Sequence, residues 1–151
     1  MKLLIDLLEK SHETIVTESL EMIERVASKG GLKHYSFGGP ETTKNKMDML
    51  YVQITQSTKE KNLIPIVNYI EKIAEKRFES GFELQEVQVA INILEECIWQ
   101  HILEELPKDY QPKALSLVSS IIGSGKDTLA RTYLSMATDK PAEPDNASKP
   151  A

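Results

Sequence analysis

From Leu84 to Ile102 the chain sets Leu84, Val87, Ala90, Ile91, Leu94, Cys97, Ile98, His101 and Ile102 at steps of three and four residues. Side chains so spaced return to one side of a helix, whereas a half-buried strand requires strict alternation. The run covers roughly five helical turns and commits this segment to an amphipathic helix with one buried face. The same step recurs through most of the chain, and no strand-length window alternates cleanly. The pattern therefore predicts an all-α fold.

Glycine and proline divide the pattern into helices. The first stretch, Lys2 to Lys29, carries Leu4, Leu7, Leu8, Ile15, Leu20, Ile23, Val26 and Ala27. Ser11 is placed to cap a second helix inside it, and Gly30 and Gly31 supply a left-handed C-cap. Residues 30–40 read as a loop with Tyr35 or Phe37 turned inward, and Pro40 can open the next helix. That helix runs from Glu41 to Lys61 on Met47, Leu50, Tyr51 and Ile54. Another starts near Leu63 with Pro65 in its first turn, buries Ile66, Val67, Ile70, Ile73, Ala74, Arg77 and Phe78, and stops at Gly81. Pro107 ends the helix begun at Leu84, and Pro112 can open the last.

In that last helix Leu115, Leu117, Val118, Ile121, Ile122, Leu129, Tyr133 and Leu134 cover a wide arc. A wide apolar arc implies a second surface to bury. The expected organisation is one domain over residues 1–137, with a disordered tail or linker over 138–151, where Pro141, Pro144 and Pro150 stand among small polar residues. Two long C-terminal helices after shorter ones fit a globin-like arrangement better than a bundle of equal helices.

A chain of 151 residues with 40% hydrophobic residues is long and apolar enough for one core. Its 18 basic and 23 acidic residues give a net charge of −5, and along the sequence the basic residues are scattered among acidic ones. That distribution argues against nucleic acid or an anionic membrane as partner. No window approaches the ~20 apolar residues of a membrane span, and the single cysteine, Cys97, has no partner for an internal disulfide. A cytoplasmic protein with a buried thiol is the expectation.

The motifs that suggest chemistry fail on spacing. Residues 123–128, Gly-Ser-Gly-Lys-Asp-Thr, resemble a phosphate-binding loop, but Ser120 stands where the first glycine belongs and Asp127 where the hydroxyl residue belongs. Small residues allowing close helix contact or a kink are the simpler reading. His12, His34 and His101 have no cysteines or carboxylates at metal-ligand spacing. His12 and His34 read as surface residues. His101, on the strongest helix, is a hydrogen-bonded core residue or, as the alternative, a haem ligand. Cys97 and His101 have i,i+4 spacing but no third group to orient a nucleophile. Glu95, Glu96, Glu104 and Glu105 lack the Glu-x-x-His pattern of a di-iron site and read as a solvated face. No enzyme and no metal site are expected. Trp99, beside the main stripe, is either packed on a flanking helix or held at a subunit contact.

The stretch Arg77-Phe78-Glu79-Ser80-Gly81-Phe82-Glu83-Leu84-Gln85-Glu86-Val87, continued by Ala90, Leu94 and Ile98, resembles the N-terminal sensor domains of RsbR-type stressosome proteins. The specific likeness covers residues 63–105. It implies a haem-less globin-like fold that pairs as a homodimer and passes signals in a stress response to a following STAS domain. No such domain follows within this chain, so the resemblance implies a stand-alone relative or part of a longer protein. Residues 63–83 contain no histidine, and His101 falls too late to match the iron ligand of a globin.

Together these readings predict a non-catalytic regulatory domain, a sensor or interaction module with a signalling-protein partner. It is expected to dimerise through its last two helices, with Leu117, Val118, Ile121, Ile122 and Trp99 at the contact, and to bind no cofactor. The alternative is a haem-based gas sensor using His101.

Overall fold

The computed structural model describes residues 2–30 and 39–139. Among them are six helices and no strand: α1 (Lys2–Lys10), α2 (His12–Ser28), α3 (Gly39–Glu60), α4 (Ile64–Glu79), α5 (Leu84–Glu105) and α6 (Gln111–Asp139), with a 3-10 turn at Lys108–Tyr110 before α6. The protein is all-α, as its periodicity requires.

The helix ends follow from their punctuation. Gly81 has φ +88°, which a side chain would strain. In the same turn Gly81 N–H donates to the Phe78 carbonyl at 3.1 Å and Phe82 N–H to the Arg77 carbonyl at 2.9 Å, a Schellman closure. Glu83 N–H then donates to Glu86 Oε1 at 2.9 Å, so the buried Glu86 side chain helps start α5. Ser57 Oγ on α3 accepts the Ile66 N–H at 3.1 Å and fixes the first turn of α4. Ser11 does mark the α1–α2 junction, but its side chain makes no capping bond. The backbone bonds Ser11 N–H to Leu7 O and Ile15 N–H to Ser11 O, both 2.9 Å, carry the chain across almost without a break.

Helix α6 packs chiefly on α4 and α5 and also touches α3, while α2 lies on α5 and α3, and α1 bridges α3 and α5. One core results, and Leu4, Leu8, Ile15, Tyr51, Ile54, Ile66, Leu94, Ile98, Ile102 and Ile121 are buried in it almost completely. Gly125 permits the α4–α6 approach: a Cβ there would lie 3.3 Å from Ile70 Cγ1 and 3.4 Å from Ile66 Cγ1.

Two expectations of helix length change. Helix α3 has 22 residues, as many as α5, so the long helices are three and not a terminal pair. The final helix continues to Asp139, past the expected boundary at 137. The inward-turned Tyr35 or Phe37, the surface position of His34 and the rest of the tail lie outside the described residues.

Candidate functional site

Helices α3 and α4 cross to leave an open groove of about 460 Å³, lined by Lys46, Met49 and Gln53 from α3 and by Pro65, Asn68, Tyr69, Lys72, Ile73 and Lys76 from α4. Asn68, Lys72 and Lys76 follow one another at i,i+4 and form a polar stripe beside the buried Ile66, Ile70 and Ile73. Beneath the groove lies a smaller cavity of about 40 Å³ between α3, α4 and α5, walled mainly by Met47, Leu50, Ile70, Val87, Ala90 and Ile91. Lys46, Tyr69 and Ile73 line both spaces, so the two are adjacent and share a wall.

Among the described residues no acidic side chain lines either space, although acids outnumber bases in the chain. Burial, and then the charges of Lys76 and Arg77, hold the Lys46 ammonium below its ordinary pKa. Tyr69 donates its hydroxyl to the Lys46 carbonyl at 3.2 Å, and burial raises its pKa against the opposing charge of Arg77. The Arg77 guanidinium, on the cavity wall, stacks 4.3 Å from the centre of the Phe82 ring. Sequence order scatters these bases. Only the crossing of α3 over α4 gathers them, which is why the sequence reading missed the groove.

His101 holds a second cluster, between α2 and α5. Its Nδ1 lies 2.6 Å from Glu105 Oε2 and its Nε2 3.0 Å from Glu18 Oε1, while Lys10 reaches Glu105 at 3.8 Å. Burial works against charge on the ring, but the hydrogen bonds and negative charges of Glu105 and Glu18 outweigh it and raise the pKa. Both ring nitrogens are thus engaged, and His101 lines neither the groove nor the cavity. A haem iron at this position would have to displace a carboxylate. One turn earlier, Cys97 is half-buried rather than fully buried, and burial with the charges of Glu18 and Glu96 raises its thiol pKa against the opposing effect of the neighbouring Ser19 hydroxyl.

The phosphate-loop lookalike lies in the middle of α6, where Lys126 Nζ pairs with Glu95 Oε1 at 2.7 Å. Glu95 is therefore partnered and half-buried, and Glu105 is tied to His101, so the row of glutamates is not simply a solvated face. His12 is only part-exposed, bonded to Asp48 at 3.0 Å and stacked on Tyr51. No three His, Cys, Asp or Glu side chains converge as a metal-holding group among the described residues, and no helix among them is long and apolar enough to cross a membrane.

The residues expected at a dimer contact divide. Val118, Ile121 and Ile122 are buried in the core of a single chain, and Leu117 is partly buried against it. Most of the wide apolar arc of α6 is covered by its own neighbours α3, α4 and α5, with Leu134 left 69% exposed. Trp99 remains 38% exposed, and Leu103, one turn further on α5, is 50% exposed. Compared with known proteins, the chain matches no family model, no curated protein and no solved structure.

Proposed function

We propose that the chain is a non-catalytic regulatory domain, a sensor or protein-interaction module of the stress-signalling kind, acting as a cytoplasmic homodimer with a haem-less globin-like fold. The reading is supported by the exposed pair Trp99 and Leu103 on α5, one of the two last helices through which dimerisation is expected. Tryptophan beside an aliphatic residue is the composition of an interface anchor. Signal enters by a change in the packing of α3, α4 and α5 and leaves through the paired surface or a signalling protein bound to it.

Sedimentation velocity at tens of micromolar is the test. The parent chain should run as a dimer, and Trp99→Glu with Leu103→Glu as a monomer of unchanged helix content. A parent chain that sediments as a monomer overturns the pairing.

A further inference from the structure

The groove between α3 and α4 is chemically one-sided. Lys46, Lys72 and Lys76 line it, and no ion pair is formed by any of the three among the described residues. Lys72 and Lys76 are one helical turn apart, where like charges repel, and Lys46 approaches them from the facing helix. Lys44 is paired with Asp48 and Glu13, Lys59 with Glu9 and Lys126 with Glu95, while the other lysines without an ion pair among the described residues, such as Lys61 and Lys113, are spread singly along the chain rather than gathered in one concavity. A concave surface that concentrates uncompensated cations attracts an anion.

What lies under the cations decides the class of anion. Tyr69 and Ile73 separate the groove from the cavity walled by Met47 and Ala90 and are the side chains whose displacement would join the two. At about 40 Å³ the cavity exceeds the space of roughly 10–15 Å³ that one water requires, and its wall offers mostly carbon. A fully hydrated ion such as phosphate would leave it unused. A long acyl chain would exceed it. An extended polyanion would need a stripe of bases and not a single pocket. The ligand that uses both parts joins one charge to a short apolar group.

We propose that the groove and the cavity form one binding site for a small organic carboxylate, its charge among Lys46, Lys72 and Lys76 and its short alkyl or aryl group between Met47, Tyr69 and Ile73. Gln53 and Asn68 line the same groove and offer amide donors to the carboxylate oxygens. Because the cavity beside the apolar end is walled by α3, α4 and α5, occupancy alters how the three helices pack. As the input of the regulatory domain the site rests on the function proposed above; as a binding site it does not.

Titration calorimetry and amide chemical-shift mapping on the full chain, at low salt, test it with hexanoate and phenylacetate as probes. Hexanol, acetate and inorganic phosphate are the controls. Hexanoate or phenylacetate should bind with Kd near or below about 1 mM, shifting amides of residues 46–53 and 65–77. Each control should bind at least about tenfold more weakly, since each lacks the charge or the apolar group. Lys46→Gln with Lys76→Gln should weaken the probe about fivefold or more. Ala90→Leu, which fills the floor, should weaken it without removing a charge, and circular dichroism verifies that each variant is folded.

No binding of either probe, binding equally strong for phosphate, or binding indifferent to the lysine changes would each overturn the site. Carboxylate binding by a monomeric chain would uphold the site and overturn only the homodimer, which keeps the two failures apart.

Discussion

Nε2 of His101 lies 3.0 Å from Oε1 of Glu18, a contact that joins α5 to α2 across eighty-three positions of sequence. Glu105 holds the other ring nitrogen, with Lys10 beside it, so the imidazolium sits between two carboxylates. Its pKa is raised above the ordinary 6.5. Stability from this arrangement is fully present below the unfolded pKa of about 6.5 and is lost as pH rises through the higher folded value. Urea midpoints measured from about pH 6 to about pH 9 should therefore fall with pH in the parent chain and fall less in His101→Gln. Parallel curves for the two proteins would refute this.

Removing either carboxylate probes the same clamp. Glu18→Gln and Glu105→Gln should each cost about 1 kcal/mol at pH 6, the modest figure reflecting partly exposed partners. The cost should shrink at pH 9, where the ring is neutral. Equal losses at both pH values would mean that packing, and not charge, is what the glutamates provide.

Two glycines in one helix should respond oppositely to alanine. Nothing lies within 4 Å of a Cβ at position 123, so Gly123→Ala should gain about 0.5–1 kcal/mol from helix propensity. At position 125 the Cβ would press on Ile70 and Ile66 at 3.3 and 3.4 Å. Crowding of about 1–3 kcal/mol there offsets the same gain. Gly125→Ala should be at least about 1 kcal/mol less stable than Gly123→Ala by equilibrium denaturation. Equal stabilities would show that α4 and α6 separate easily.

Buried hydroxyls offer a second matched pair. Tyr51 donates to the Leu8 carbonyl at 2.7 Å and fastens α3 to α1, so Tyr51→Phe should lose about 1 kcal/mol. The Thr55 hydroxyl, one turn along the same helix, is buried and makes no hydrogen bond among the described residues. Thr55→Val should raise stability by about 1 kcal/mol, because it removes a desolvated group that gains nothing in return. Thermal denaturation reads both, and a Thr55→Val protein less stable than its parent would contradict the assignment.

Local chemistry was readable wherever one residue decides the backbone. Gly30 and Gly81 take φ of +85° and +88°, Pro107 follows the end of α5, and the three-and-four spacing of α5 places Ile91, Leu94, Ile98 and Ile102 in the core. Relations between helices were not readable. Lys46 meets Lys72 and Lys76 only because α3 crosses α4, and His101 meets Glu18 only because α2 lies on α5. Apolar breadth on α6 was ambiguous for the same reason: a count of apolar positions cannot say whether the surface that covers them belongs to the same chain. Here most of it does, since α3, α4 and α5 all reach α6, while Leu134 stays exposed.

The turn at Gly81 is held from outside as well as within. The Tyr133 hydroxyl donates to the Phe82 carbonyl at 2.9 Å, and the Tyr133 ring meets Phe78 edge-on at 5.4 Å. One side chain near the end of α6 thereby grips both sides of the α4–α5 corner. Tyr133 stands six residues before Asp139, about 9 Å along the helix at 1.5 Å per residue, so the last turns of α6 take their seat from the α4–α5 corner, and loosening that corner would free them with it.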